Sequence, residues 1–315
     1  MQQVISAKKT ALAEAIELPL KEIATALSSV WPNIEQEDEL LLKQQKTVPH
    51  CDLLYTLDVN GRQISSNINL HGADPSMRGQ DLSQRSFFNA SLPYRGMTLS
   101  KVYLSDRSLQ SCITAIHAIS QDDKLLGFLA ADFNISDLPA GQLTTRPNNK
   151  WQQFRGDPAV RNTLFMQERV PSLMDKHLNE VNILLDNLIG QHGVFHCKLH
   201  YSSGRCSLWL YDDPYRYRIH SVEEIINPEI CLAYPQHEYP ADAVVTPDQI
   251  LLALEQMKTL RFADETVYLR SSSLNIMNGM VGLTFSCDGS HYISVDEFLE
   301  KNEGFWFGSQ TKVLA

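Results

Sequence analysis

The stretch that decides the fold of this chain is "LQSCITAIHAISQDDKLLGFLAADFNI", residues 109–135. Two runs within it, residues 109–120 and 124–135, are typical of strands, and the "QDD" between them is typical of a turn. A third strand candidate, "LSKVYLS" at residues 99–105, comes before them and is followed by a "DR" turn. The sequence therefore predicts three consecutive antiparallel strands.

A hairpin is predicted further upstream, in "CDLLYTLDVNGRQISSNI", residues 51–68. Apolar residues alternate there up to Asn60 and Gly61, and this dipeptide is the strongest short-range hairpin signal that a sequence offers. A polar loop then leads to a predicted short helix, "RSFFNASL", at residues 85–92.

The first 31 residues carry an apolar stripe at spacings of three and four, which predicts a long helix. Pro19 should bend this helix or mark the start of a second one, and Pro32 should end it. Together these elements predict an α+β domain, in which one five-stranded antiparallel sheet carries helices on one face.

Residues 1–140 are predicted to form this domain, and residues 161–315 a second α+β domain. The linker predicted between them, residues 141–160, contains proline and glycine and few aliphatic residues. The second domain repeats the element order of the first without visible residue identity, which favours a tandem of similar units.

In the second domain a long helix should begin at Leu164, or nearer to Pro171, and end at Gly190. A hairpin at residues 194–211 follows, and Thr246 begins a capping box that opens another helix. Three more strand candidates and a short final helix complete the chain, at residues 265–272, 280–287, 291–295 and 296–302.

The composition limits the classes of function. The net charge is −10 and no run of Lys or Arg exceeds two residues, so nucleic acid is not an expected partner. The longest apolar stretches are too short to cross a bilayer, and the amino end lacks the features of a secretory signal. We therefore expect a soluble, cytoplasmic chain, although a piece cut from a membrane receptor would have the same composition.

The six cysteines stand singly, without a C-x-x-C pair, so we expect them to be reduced and packed. His192, His196 and His200 would stand about 13 Å apart along an extended strand, which is too far for one metal ion to bridge. No motif typical of a hydrolase, a zinc protease or a nucleotide-binding loop is present. We expect no metal, no cofactor and no enzymatic activity.

Four motifs follow one another in the first domain: "DVNG", "DLSQRSFFNA", "VYLS" and "LLGFLAAD". In this order and with these gaps they resemble the Cache-type (double-Cache, PDC) sensor domain, the PAS-like ligand-binding module of bacterial chemoreceptors and related sensors. The resemblance covers residues 1–140 and implies a PAS-like fold that binds a small molecule.

Amino-acid-binding members of this family carry an Arg, a Trp-Tyr pair, a strand Tyr and a terminal Asp. At those positions the resemblance places Arg85, Phe87, Phe88, Tyr103 and Asp132. Gln80 stands in place of a further family Tyr, and Phe88 lacks a hydroxyl that the family has. The ligand implied is therefore an amino acid or a related carboxylate or amine.

The chemistry of these residues suits a zwitterion. The guanidinium of Arg85 matches a carboxylate bidentately, which contributes about 1.5–3 kcal/mol when the pair is partly buried. Asp132, at the far end of the last strand, would bind the ligand ammonium. A second interpretation needs no ligand: Arg85 pairs with Asp81 or Asp106, the two phenylalanines pack on the sheet, and Asp132 ends a strand.

Three classes of function follow from these observations. The first is a sensor that signals through a partner protein, with a homodimer through the long helices. The second is a protein-interaction module with a ligand-free sensor fold, in which "YDDPYRYRIH" (211–220) is an exposed contact loop. The third is an enzyme in the second half that uses Asp212, Asp213, His196 or His220 as acid and base.

Overall fold

The computed structural model of the chain describes residues 2–88, 92–93, 95–106, 108–138, 168–286, 289–301 and 305–306. The chain divides into two compact units, Met1–Thr145 with Cys231–Ala233, and Arg146–Ile230 with Tyr234–Ala315. The predicted linker at residues 141–160 lies outside the described residues, so the predicted domain boundaries stay a prediction.

The first unit begins with two helices, α1 (Gln2–Val30) and α2 (Ile34–Gln44). Its strands are β1 (Leu53–Asp58), β2 (Asn67–Asn69), β3 (Gly72–Asp74), β4 (Met97–Leu99), β5 (Tyr103–Leu104), β6 (Ser111–Gln121) and β7 (Lys124–Asn134). Short 3-10 turns lie at Gln45–Thr47, Pro75–Met77 and Ile135–Asp137. The described strands form one antiparallel sheet in the order β3-β2-β1-β7-β6-β4, and β5 also pairs with β6.

The two helices cover one face of this sheet. The apolar stripe of α1 packs on β6, and Ile16, Leu20 and Leu27 are fully buried there. On the same face α2 buries Glu37, which accepts a hydrogen bond from Thr56 of β1. The long helix predicted from the sequence is thus present, and it continues through Pro19 without a second helix beginning there.

The opposite face of the sheet is covered by the segment that follows β3. Leu82, Phe87 and Phe88 of this segment join a buried cluster with side chains of β1, β6 and β7, including Tyr55 and Phe128. A sheet buried on both faces explains why the two longest strands are apolar over most of their length. The predicted binding residues lie on this second face.

The predicted fold class, α+β with one antiparallel sheet and a long N-terminal helix, is confirmed, but the described sheet has seven strands instead of five. The predicted strand at 99–105 is divided into β4 and β5, because Ser100 interrupts the strand pairing with β6. The backbone N–H of Ser100 donates to the Thr114 carbonyl. The Ser100 hydroxyl accepts from the Thr114 N–H and donates to the Lys101 carbonyl.

The predicted hairpin also departs from a regular ladder. After the turn at Gly61 (φ +87°), a bridge between Leu57 and Gln63 joins the returning chain to β1. Strand pairing with β1 resumes in β2, which begins at Asn67 and places Ile68 opposite Leu54. The side chains of Thr56 and Ser65 exchange hydrogen bonds with each other's backbone N–H groups, at 2.8 and 3.1 Å, in place of a continuous ladder. The predicted helix at 85–92 is a turn over residues 85–88, and residues 89–91 lie outside the described ones.

The second unit contains a second antiparallel sheet. The helices that follow residue 168 are α3 (Leu173–Lys176), α4 (Leu178–Gln191), α5 (Val222–Ile225), α6 (Ile230–Ala233), α7 (Pro247–Phe262) and α8 (Val295–Glu300). Of these, α6 belongs to the first unit except for its first residue. The strands are β8 (Val194–His200), β9 (Arg205–Leu210), β10 (Asp213–Ser221), β11 (Leu269–Asn275), β12 (Met280–Phe285) and β13 (Ser290–Ser294). Their order across the sheet is β10-β9-β8-β11-β12-β13.

The two sheets share a layer arrangement but not a strand order. In the first, β1 pairs with the last strand, β7, whereas in the second β8 pairs with β11, the first strand after α7. The repeated element order seen in the sequence therefore does not produce one repeated topology, because element order does not specify which strands pair.

Several predicted details of the second unit are corrected. Residue 164 lies outside the described residues, and α3 begins after Ser172, which forms a capping box with Asp175. Gly190 lies inside α4, while Gly193 has the left-handed φ of +67°. His192 is the C-cap of α4, so it shares no strand with the other two histidines.

The predicted contact loop at residues 211–220 is mostly strand β10, at the edge of the second sheet. No helix among the described residues is long and apolar enough to cross a membrane. Cys51, Cys112, Cys197, Cys206 and Cys231, which the structure describes, are free and buried, as predicted.

Candidate functional site

Three neighbouring strands bring Tyr55, Thr114 and Asp132 together on one face of the first sheet. Asp132 of β7 stands directly opposite both Leu53 of β1 and Thr114 of β6, and opposed residues of antiparallel strands point to the same face. Tyr55 follows Leu53 by two residues and therefore shares that face. The Tyr55 hydroxyl lies 3.3 Å and the Thr114 hydroxyl 2.7 Å from Oδ1 of Asp132.

Tyr103 extends this arrangement from β5. It stands opposite Cys112 of β6, and its hydroxyl lies 2.8 Å from that of Thr114. An ionised carboxylate accepts hydrogen bonds but donates none, so Thr114 donates to Asp132 and Tyr103 donates to Thr114. Two hydroxyls thus hold one carboxylate oxygen directly, and a third hydroxyl holds it through Thr114.

Both phenols are held in their protonated, donating form. Burial raises the pKa of Tyr55 and that of Tyr103, and the negative charge of Asp132 raises both further. The Arg85 guanidinium acts in the opposite direction on both pKa values, which places its charge within electrostatic range of the two phenols. The charges of Arg85 and Asp132 therefore both act on the pKa of Tyr103, in opposite directions.

Arg85 itself makes an ion pair with Asp106, which lies in the connection between β5 and β6. The side chain of Arg85 is 39% exposed and that of Asp106 is 72% exposed, so the pair lies at the surface. Asp106 is one of the two partners that the ligand-free interpretation of the sequence named for Arg85.

The two phenylalanines after Arg85 lie in the buried cluster of the first unit. Phe87 packs its ring 5.8 Å from that of Tyr103, and Phe88 makes an edge-on contact with Phe128 at 6.0 Å between ring centroids. Gly61 allows this packing, because a Cβ atom there would lie 2.9 Å from the Phe88 ring. Phe87 therefore supports Tyr103, and Phe88 anchors the covering segment to the sheet.

A cavity of about 470 Å³ opens beside Asp132 at the end of the sheet. Its walls come from the start of β1, the β2–β3 turn, the β5–β6 connection and the adjoining ends of β6 and β7. The described lining residues include Tyr103, the carboxylates of Asp52 and Asp132, and the amides of Asn69, Gln110 and Asn134. Of the five predicted binding residues, Tyr103 and Asp132 line this cavity, whereas Arg85, Phe87 and Phe88 lie outside its lining.

The cavity wall has an acidic character. Burial raises the pKa of Asp52, and the nearby charge of Asp137 raises it further, while the backbone N–H of Asn134 acts against both. Burial and the charges of Asp132 and Asp52 raise the pKa of the Cys112 thiol to about 12. This cysteine is therefore protonated at neutral pH and is a poor nucleophile.

Tyr55, Thr114 and Asp52 join the site although the sequence did not single them out. Tyr55 and Thr114 belong to strands that the sequence predicted, but their meeting with Asp132 depends on strand register. In the sequence, Gln80 and Phe88 stand where the family has two hydroxyl-bearing residues. Tyr55 supplies a hydroxyl next to Asp132 from a different position.

The residues considered for an enzyme in the second unit have separate partners. His196 stacks on Trp209 at 4.4 Å, and burial, together with the charge of Lys198, lowers its pKa to about 4. His220 lies between Glu224 (3.2 Å) and the Tyr234 hydroxyl (2.6 Å), and Asp212 lies 3.7 Å from His237. Among the described residues, no group of three or more His, Cys, Asp or Glu side chains could hold a metal ion.

Solved structures to which the chain is similar include sensory and ligand-binding domains of chemoreceptors. No protein-family model matches the sequence, and no curated protein matches it significantly. The chain is similar to the sensory domain of the Campylobacter jejuni chemoreceptor Tlp3 with isoleucine bound, at 19% identity and a TM-score of 0.35, over 44% of this chain and 56% of that one. The ligand-binding domain of the same chemoreceptor with L-valine matches at 20% identity, a TM-score of 0.35 and the same coverage.

The ligand-binding domain of the Pseudomonas fluorescens chemoreceptor CtaA in complex with L-alanine matches at 18% identity and a TM-score of 0.32, over 44% of this chain and 57% of that one. The chain thus spans little more than half the length of the chemoreceptor sensor domains to which it is similar.

Proposed function

We propose that this chain is a small-molecule sensor without enzymatic activity, and that its first unit binds an amino acid or a related carboxylate or amine. The observation that carries the proposal is the placement of Asp132. Its carboxylate lines a cavity and is oriented by the hydroxyls of Tyr55 and Thr114. A carboxylate that is already oriented binds a ligand ammonium at a low cost in lost side-chain freedom.

The size and the lining of the cavity support the same function. A volume of about 470 Å³ suits a small molecule, and the carboxylates and amides of the lining would define its orientation. Tyr103 lines the cavity and donates its hydroxyl hydrogen to Thr114. The role of Arg85, Phe87 and Phe88 in binding is part of the proposal, with Phe87 acting through its contact with Tyr103.

A route for the signal follows from the two faces of the sheet. Strands β6 and β7 carry Thr114 and Asp132 on the cavity side, and α1 packs on the other side of these strands. A ligand that binds one arrangement of β6 and β7 better than another would shift the equilibrium between the two arrangements by that difference in affinity. The position of α1 would change with it. We propose that a partner protein, or a second copy that pairs through α1, receives this change.

The test is a ligand panel of amino acids, amines and carboxylates, measured by thermal shift and then by calorimetry. We expect saturable binding to the wild type, at least tenfold weaker binding to Asp132→Asn, and unchanged binding to Glu22→Gln. Glu22 is exposed on α1 and serves as a control for the loss of one negative charge. A flat response of all three proteins, or equal binding by Asp132→Asn with an unchanged circular dichroism spectrum, would contradict the proposal.

A protein-interaction module is the second candidate function, and one observation favours it. β10 lies at the edge of its sheet and carries Tyr215, whose exposed fraction is 95%. Edge strands can pair with an extended segment of another protein, and tyrosine is enriched at interfaces. A flat ligand panel would favour this function over the sensor.

A further inference from the structure

Asp106 holds Arg85 in an ion pair at the rim of the proposed site. We propose that the Asp106 carboxylate occupies the guanidinium of Arg85 in place of a ligand carboxylate. The cavity consequently selects cationic amines that lack a carboxylate over the corresponding amino acids. This inference rests on the proposed ligand-binding function of the first unit and specifies the class of ligand.

The position of Asp106 connects the ion pair to the cavity. Asp106 lies in the β5–β6 connection, and Ser105, Ser108 and Gln110 of the same connection line the cavity. Two backbone hydrogen bonds close this connection, from Ser105 N to Gln110 O at 2.9 Å and from Leu109 N to Ser105 O at 2.8 Å. The ion pair therefore ties the segment that carries Arg85 to a wall of the cavity.

The charges of the wall point to a cationic ligand. Asp52 and Asp132 both line the cavity, while the described lining residues include no Lys or Arg. A ligand ammonium would meet two carboxylates there, and a ligand carboxylate would meet like charges, which are unfavourable at short range.

Arg85 can bind a ligand carboxylate only if its ion pair with Asp106 is broken. A ligand carboxylate would have to replace that of Asp106 on the guanidinium, so one ion pair is exchanged for another and little affinity is gained. An amine needs no such exchange. The difference between the two classes of ligand therefore depends on Asp106, which makes it a residue that determines specificity.

The experiment compares matched ligands that differ by one carboxylate: L-valine with isobutylamine, and L-ornithine with 1,4-diaminobutane. Calorimetry on the wild type should show each amine binding at least tenfold more tightly than its amino acid. In Asp106→Asn the amino acids should gain at least tenfold and the amines should change little. The control is Asp123→Asn, which removes an exposed ion pair with Arg95 outside the cavity lining and should leave both affinities unchanged.

A double substitution separates the role of Arg85 from that of the loop. Arg85→Gln combined with Asp106→Asn should lose the gain in amino-acid affinity that Asp106→Asn shows alone. Tighter binding of the amino acids to the wild type, or an unchanged ratio in Asp106→Asn, would overturn this inference and leave the sensor function intact. Absence of binding by both classes of ligand would overturn both.

Discussion

Thr114 stands directly opposite Asp132 in the β6–β7 pair, and its hydroxyl lies 2.7 Å from Oδ1 of that carboxylate. The same hydroxyl accepts the hydrogen bond of Tyr103. Thr114→Val would thus remove a donor from Asp132 and an acceptor from Tyr103 at once. We expect it to lower the free energy of unfolding by about 1–3 kcal/mol, measured by urea denaturation. Thr114→Ser keeps the hydroxyl and is the control, and an equal loss in both variants would refute a hydrogen-bonding role.

The turn at Gly61 should tolerate no side chain. Gly61 has a φ of +87°, and a Cβ atom there would lie 2.9 Å from the ring of Phe88. We expect Gly61→Ala to lower the free energy of unfolding by roughly 2–4 kcal/mol, because backbone strain and a steric overlap add. Gly79→Ala is the matched control, since its φ is +76° and a Cβ atom there meets nothing within 4 Å. Similar losses at both positions would mean that the overlap with Phe88 contributes nothing.

A buried ion pair joins α3 to α7 in the second unit. Arg261 is fully buried and binds Asp175 through two hydrogen bonds, of 2.8 and 2.9 Å, and the Leu269 carbonyl through a third, of 2.7 Å. Arg261→Met would leave the carboxylate of Asp175 buried without its main partner. We expect a loss of about 3–5 kcal/mol in thermal or urea unfolding. Arg169→Met is the control, because the Arg169 guanidinium lies farther from Asp175, at 3.9 Å, and a smaller loss is expected.

The same ion pair should make the second unit sensitive to acid. Burial acts to raise the pKa of Asp175, but the hydrogen bonds from Arg261 and Ser172 outweigh it and hold the pKa below its usual value. A carboxylate with a lowered pKa in the folded state contributes stability above its unfolded pKa and loses that contribution as the pH falls through the folded pKa. The difference between the wild type and Arg261→Met should therefore shrink below about pH 4. A constant difference between pH 7 and pH 3 would contradict this assignment.

Glu37 should have the opposite pH dependence. It is fully buried, Thr56 donates to its Oε2 at 2.7 Å, and its Oε1 has no hydrogen-bond partner among the described residues. Burial raises its pKa, the hydrogen bond from Thr56 opposes this, and the charge of Asp38 adds to the rise. A raised folded pKa means that stability present below the unfolded pKa is lost as the pH rises through the folded pKa.

Glu37→Gln should therefore be more stable than the wild type by about 1 kcal/mol at pH 7, and the two should converge near pH 4. Urea denaturation at both pH values measures the difference. Glu35→Gln, at an exposed position in the first turn of α2, is the control and should not gain stability. A Glu37→Gln variant that is less stable at pH 7 would show that the charge is needed.

The elements that the sequence predicted best depend on neighbouring residues. The stripe of Ile16, Leu20 and Leu27 predicts α1, and the capping box at Thr246 marks the start of α7. The long runs around Thr114 and Asp132 predict β6 and β7. These patterns repeat within a few residues, so local propensity and periodicity are enough to recognise them.

Strand order and the composition of the site depend on residues far apart in the chain. Tyr55 and Asp132 are separated by 77 positions, and their hydrogen bond exists because β1 pairs with β7 in one register. A shift by one residue would turn Tyr55 to the helix-covered face. The pairing of Arg85 with Asp106 likewise depends on how the covering segment lies on the sheet. The sequence by itself determined the helices, the long strands and the residues available for binding, whereas only the tertiary structure decided which of them meet, because that depends on long-range strand pairing and packing.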